Sequence, residues 1–314
     1  MAASLINAQG TTEAITPLLQ DCQRMRIQIK GPSVNTSNYD FDVGEEGEIC
    51  YGLAGIKGVG ESSARCIIET LERHGKFNNI FDFSESIDLR AVNKKTFESL
   101  ALSGAFDCLN SGNRRQYIIS TNDGTSFIEQ IISYVGKVKA EEEEMKNSLF
   151  GDLEQFNITS TQRHKIPNCI EYPQIDLLNF EKEYIGFYIS GHPLERYKSV
   201  MNKYCTCRSS VFQQKAEDVD VEGKCVIAGI VSDMRVKMSK RDTQYGVVTL
   251  EDFDGEVNFS IFGETFTKHK DLLKLGAAVI CVGYITSKYN DPERLEFKCN
   301  KVFDMITLEN NFSN

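Results

Sequence analysis

The chain has 314 residues, enough for two or three domains that each bury a core, and its composition is that of an ordinary globular protein. A formal charge of −10, from 35 basic against 45 acidic side chains, excludes a protein that coats DNA indiscriminately, because such affinity comes from Lys and Arg neutralising phosphates. The absence of a membrane-length apolar run and of a signal-peptide pattern, with ten cysteines and no Cys-x-x-Cys pair, suits a reduced protein of the cytoplasm.

Ile15, Leu18, Leu19, Cys22 and Met25 fall at helical spacing, so Thr12–Met25 reads as a helix with Thr12 as cap. A β-rich stretch follows from Ile27 to Tyr51, broken by Gly31-Pro32 and Gly44. The segment Ile49–Glu61 then reads as the start of a helix-hairpin-helix. Leu53 and Ile56 end a first helix, Gly58-Val59-Gly60 turns the chain, and Ala64 and Ile67 pack the second helix back. Glycines let backbone amides approach a phosphate, and the second helix offers unpaired N-terminal donors to the same anion. Lys57, Gly58, Val59, Gly60, Ser62 and Ser63 are therefore the candidate DNA contacts. An ordinary glycine-capped αα-turn fits the same pattern.

Phe77, Ile80, Phe81 and Phe83 anchor a loop in a small core, and Asn93–Leu102 forms a helix with Phe97, Leu100 and Ala101 on one face, closed by Ser103-Gly104. A long helix spans Arg114–Glu144, with Gly124 as a point of interruption, and runs out in four glutamates that read as a solvated helix end. Beyond them Leu149 and Phe150 stand in an otherwise polar loop, either folded back or kept for a partner's pocket. Asp176–Tyr188 and Leu194–Met201 are further helices. His192 precedes Pro193 and reads as a turn residue. With Cys205 and Cys207 it makes three zinc-type ligands lacking a fourth, so no metal site is expected.

After Gly223 the period changes to two. Lys224–Met238, Gln244–Phe253, Glu256–Phe262, Ala277–Ser287 and Glu293–Val302 are strands, with a helix at Glu264–Leu273, the element order of an OB-fold barrel that binds single-stranded nucleic acid. Lys237, Lys240 and Arg241 line the first strand connection. Tyr245, Phe253, Phe259 and Phe262 are candidate stacking platforms, about half of which must point into the barrel. Three Asp-x-Asp pairs, at Asp40, Asp218 and Asp252, put two carboxylates on one strand face, but none has basic neighbours for a triphosphate, so no catalytic residue is assigned.

Laid out in order, the chain resembles the C-terminal part of the alpha-subunit family of bacterial DNA polymerase III, the C-family replicative polymerases. The residues that carry the likeness are Met1–Leu5, Val34-Asn35-Thr36-Ser37, Tyr51–Glu61, Asn93-Lys94-Lys95, Ser103–Asp107, Ser148–Gly151, Glu181-Lys182-Glu183, Gly186–Leu194, Leu250-Glu251-Asp252 and Asp254-Gly255. The resemblance implies an α+β multidomain chain. Residues 1–50 would end the fingers, 51–144 form the helix-hairpin-helix domain on duplex DNA, and 145–152 the sliding-clamp peptide. Residues 153–220 would then be a helical connector, 221–305 the OB-fold barrel and 306–314 a tail. It assigns Lys146, Ser148, Leu149 and Phe150 to the beta sliding clamp, with Lys146 where the family has glutamine, and Gly31-Pro32-Ser33 stands where the family has Pro-Pro-Asp. It implies a parent DNA-directed DNA polymerase that uses Mg2+ and dNTPs upstream of this region, no cofactor within it, other holoenzyme subunits as partners, and no membrane. Three alternatives use the same motifs: a stand-alone DNA-binding accessory or repair protein, the error-prone paralogue of the same family, and a nuclease.

Overall fold

A knot of aromatic rings organises the first half of the chain and a five-stranded sheet the second; the computed structural model describes residues 2–8, 17–18, 21–22, 25–121, 124–147, 165–213, 223–239, 242–288 and 291–310. Two units result, Met1–Gly191 and His192–Asn314. The predicted Thr12–Met25 helix lies mostly outside the described residues.

After helix α1 (Ala2–Ala8), the β-rich stretch forms a small sheet of β1 (Ile29–Lys30), β2 (Asp42–Val43) and β3 (Ile49–Cys50), with β3 central, parallel to β1 and antiparallel to β2. The first hairpin helix is a single 3-10 turn, Leu53–Gly55, followed by α2 (Glu61–His74). Leu53, Ile56, Ala64 and Ile67 are all buried, as their spacing requires.

The stretch read as a loop around Phe81 is instead helix α3 (Ile80–Ser86). Asn79 caps it by accepting from the amides of Phe81 and Asp82, both at 3.0 Å, which replaces donors the first turn cannot satisfy itself. Asn93 caps α4 (Lys94–Leu102) in the same way. Phe83 sits among Phe77, Phe97 and Phe106, with centroids 5.0, 5.4 and 5.1 Å away and steep interplanar angles, the edge-to-face packing that ring quadrupoles favour.

The long predicted helix is two: α5 (Arg114–Ile118) and α6 (Phe127–Asn147). Gly124 does break it, at φ +81°, and Ser126 restarts it through a capping box with Glu129. Helix α7 (Gln174–Ile185) stops before its predicted end because Gly186 adopts the left-handed cap conformation. Its Glu181, 3% exposed, accepts from the amides of Ile189 and Ser190 and from the Ser190 hydroxyl, so the turn after α7 folds around a buried carboxylate.

In the second unit, the predicted helix at Leu194 is a 3-10 turn (Glu195–Tyr197) running into α8 (Lys198–Tyr204). Five antiparallel strands follow: β4 (Lys224–Met238), β5 (Gln244–Glu251), β6 (Glu256–Ile261), β7 (Ala278–Lys288) and β8 (Asp291–Asp304), in the order β6-β5-β4-β7-β8. Strand β4 pairs with β7 through its first half and with β5 through its second, and Phe259 on β6 meets Phe297 on β8 at 5.2 Å, drawing the two outer strands together. Helix α9 (Gly263–His269) lies between the third and fourth strands, and α10 (Met305–Asn310) follows the last. The first half of β4 is buried on both faces. Cys225, Ile227 and Val231 point into the barrel, while Val226, Ala228 and Ile230 pack against Leu194, Tyr197, Val200, Met201 and Met305.

One cysteine expectation changes. Cys207 and Cys225 form a disulfide with Cα atoms 6.4 Å apart, so the chain is not wholly reduced. Cys207 is thereby removed from any zinc set, and among the described residues no three His, Cys, Asp or Glu side chains converge on a metal position. Among them, too, no helix is long and apolar enough to cross a membrane.

Candidate nucleic-acid interface

The hairpin turn is held from behind. Tyr51, fully buried, shares its hydroxyl proton between the carbonyls of Gly55 at 3.0 Å and Ile185 at 2.8 Å, and burial pushes its phenol well above the usual range. The Lys57 amide bonds the Tyr184 carbonyl at 2.9 Å, and its ammonium lies 3.6 Å from Glu183. Gly58 has φ +91°, and a Cβ there would collide with the Ser99 hydroxyl, so only glycine fits both the torsion and the space. Gly60 then caps α2, and the amides of Gly60, Glu61, Ser62 and Ser63 have no acceptor among the described residues.

The side chains sort differently from the sequence expectation. Lys57, Ser62 and the two glycines are exposed, but the Val59 side chain is 7% exposed and belongs to the core. The Ser63 hydroxyl is also turned inward, donating to the Ala91 carbonyl at 2.6 Å, so both residues can offer a phosphate only their backbone. One exposed cation was missed: the stem of Lys95 runs beside Gly58, where a Cβ would lie 3.8 Å from its Cε. The signal was available, since Asn93 as cap fixes Lys95 in the first turn of α4. Glu61 is paired with Arg65 at 3.0 Å, which tempers the negative charge at the mouth of the turn.

On the barrel, strand register decides which aromatic rings face solvent. Residues directly opposite in an antiparallel pair share a face. Lys237 opposes Tyr245, Arg235 opposes Val247 and Asp233 opposes Thr249, while Val247 and Thr249 oppose Ser260 and Asn258. Phe262, one residue past the end of β6, completes this outer face. It is 52% exposed and stacks on Tyr245 with centroids 4.8 Å apart and planes 22° apart. Arg235 is paired with Asp233 at 2.7 Å, whereas Lys237 has no ion-pair partner among the described residues. Arg235 was missed, although alternation from Lys237 would have placed it on this face.

Phe259 is on the opposite side of β6, 3% exposed and packed on Phe297 in the core, which corrects its assignment as a platform. Phe253 packs against the cluster of Leu194, Tyr197, Val200 and Met201 outside the barrel, its ring already approached by His192 at 4.6 Å and by the cations of Lys198 and Arg208 at 5.3 and 5.5 Å. The His192 Nδ1 accepts from the Leu194 amide at 3.1 Å, a turn role. Asp252, 6% exposed, accepts from the Ser209 hydroxyl and from the amides of Ser209, Asp254 and Gly255 at 2.7, 2.9 and 3.1 Å. Its carboxylate is thus spent on closing the β5–β6 turn. Asp218 and Asp220, Lys240, Arg241, Ser148, Leu149, Phe150 and the Lys146 side chain lie outside the described residues.

Comparison with known proteins agrees with both units. A family model described as a helix-hairpin-helix motif matches residues 26–117, and one described as an OB-fold nucleic acid binding domain matches residues 225–305. The DNA polymerase III alpha subunit of Vibrio cholerae is 28% identical over 318 residues, covering 100% of this chain and 26% of that protein. Those of Haemophilus influenzae and Escherichia coli K12 are 28% and 29% identical over 291 residues, each covering 91% of this chain and 24% of the relative. The chain therefore spans about a quarter of the length of the curated relatives it matches.

Proposed function

We propose that this chain, similar along its length to DNA polymerase III alpha subunits, is the non-catalytic C-terminal region of such a subunit, and that it tethers the enzyme to DNA and to a sliding clamp. The observation that carries the reading is the outer barrel face, where the half-buried Tyr245 and the exposed Phe262 stack beside Lys237, which has no ion-pair partner among the described residues. Exposed rings accept unpaired bases of any sequence, and a neighbouring lysine neutralises the linking phosphate. Bases inside a duplex cannot reach such a stack, so this face suits single-stranded template.

The hairpin supplies the complementary grip. Amides of Gly60 to Ser63 and the Lys57 and Lys95 ammonium groups meet a duplex phosphate without reading sequence. Leu149 and Phe150 are the anchors for the clamp, with Lys146 and Ser148 flanking them. Linked weak sites raise effective concentration to roughly millimolar, so modest contacts together keep a polymerase on its template. Nucleotidyl transfer, with its Mg2+ and dNTPs, is assigned to the rest of the parent protein, and the holoenzyme's other subunits are its partners in the cytoplasm.

Titration of the chain with single-stranded and primed DNA at two salt concentrations tests this. Affinity should be weak, because the net charge of −10 leaves only local cations to neutralise phosphates, and it should fall as salt rises with a slope set by the number of phosphates those cations contact. Binding that is absent at low salt, or indifferent to salt, would contradict the reading.

A further inference from the structure

The disulfide between Cys207 and Cys225 is asymmetric in its surroundings. The Cys225 side chain points into the barrel core and is 3% exposed. Cys207 is half-buried and lines a shallow surface recess of about 180 Å3 together with Met201, Asn202, Cys205, Thr206 and Arg208. An attacking thiolate must approach one sulfur along the line of the S–S bond; Cys207 borders the recess from which it could come, and Cys225 does not.

We infer that Cys207 is a thiol-exchange site, at which a small carboxylate-bearing thiol enters the recess and opens the disulfide. The incoming thiolate bonds to the Cys207 sulfur as the bond to Cys225 breaks; Cys225 leaves as a thiolate and takes a proton from water. Cys207 then carries a mixed disulfide. A second thiolate attacks the small molecule's sulfur, releasing Cys207 and forming the small disulfide. The net reaction converts one protein disulfide and two small thiols into two cysteine thiols and one small disulfide, and oxidation by that small disulfide is its reverse.

The recess suits this chemistry. Arg208, whose guanidinium also lies 5.5 Å from the Phe253 ring, lines the recess and brings positive charge near an incoming carboxylate, and Asn202 and Thr206 add polar lining. Cys205 lies in the same recess, but burial pushes its thiol up to about 11, so it stays protonated at neutral pH and leaves exchange to the external thiol. The segment holding Cys207 does not depend on the disulfide for its place. The Thr206 amide bonds the Val226 carbonyl at 3.0 Å, the Val226 amide bonds the Thr206 hydroxyl at 2.9 Å, and Ser209 is bound to Asp252. Cys207 therefore remains at the mouth of the recess after the bond opens.

The full chain treated with reduced glutathione, quenched by alkylation and mapped peptide by peptide should show glutathione on Cys207 and an alkylated Cys225. The Cys225→Ser variant, given glutathione disulfide, should take glutathione on Cys207 in preference to Cys205, Cys281 and Cys299. The Cys207→Ser variant should leave Cys225 unmodified until the chain is denatured. A wild-type disulfide that opens only on denaturation, or glutathione found on Cys225 or Cys205 ahead of Cys207, would overturn the assignment. The wild-type arm decides the matter even where a variant folds poorly.

Discussion

Phe83→Ala should destabilise the helical unit by about 3–5 kcal/mol, the range for deleting a fully enclosed aromatic side chain. The ring is 0% exposed and touches three others edge-on, so its removal opens a cavity and ends three aromatic pairings at once. Collapse into the space is hindered. Phe77 is held from outside by Asn35, which donates to the Phe77 carbonyl at 2.9 Å and accepts from its amide at 2.8 Å, while Phe97 and Phe106 are fixed by α4 and the turn that ends it. Denaturant unfolding followed by far-UV circular dichroism measures the loss. Phe81→Ala, at a partly buried ring on the same helix, should cost less than half as much; equal costs would mean that the aromatic knot is not the centre of this unit.

Leu149→Ala combined with Phe150→Ala should abolish measurable binding to an immobilised sliding clamp. Two large apolar side chains in a polar stretch serve as buried anchors, and anchors of this kind contribute about 2 kcal/mol or more each on truncation, so losing both weakens affinity by roughly a thousandfold. Lys146, standing where the resembling family has glutamine, should matter much less, because a flanking polar contact is a minor part of such an interface. Unchanged affinity of the double variant for the clamp would remove the clamp from the proposed function while leaving the DNA contacts standing.

Much of the barrel was legible because alternation survives in strands that are half exposed. The ends of β4 and β6 fall within one residue of their period-two pattern, and the helix lies in its expected place between the third and fourth strands. Facing was harder to read. A register irregularity between Val231 and Asp233 shifts the parity of β4, so that Met234, not an odd-numbered neighbour, packs toward the core. Phe259 and Phe262 look equivalent as aromatic residues, yet one fills the barrel with Val257 and Ile261 and the other stacks in solvent, because three residues along a strand reverse the face.

In the helical unit, the pattern of Leu53, Ile56, Ala64 and Ile67 located the hairpin, but a segment of three residues closes as a 3-10 turn, and periodicity carries no information on so short a stretch. The helix at Ile80 was missed because its rings read as a loop anchor, although Asn79 offered a cap signal. Val59 and Ser63 share the hairpin motif with their exposed neighbours, yet both are buried. Their burial follows from tertiary packing, since Ser63 meets Ala91 from a loop distant in sequence. The Cys207–Cys225 disulfide, 18 residues apart, had no spacing motif to announce it.

The outer face of the barrel is the part of the molecule on which single-strand binding depends. Fluorescence anisotropy with a labelled single-stranded oligonucleotide at low salt should show that Tyr245→Ala with Phe262→Ala weakens binding by about 10- to 100-fold, since stacking contributes roughly 1–3 kcal/mol per base, and leaves the thermal melt of the barrel nearly unchanged. Affinity equal to that of the unmodified chain would contradict the claim that this face holds a single strand.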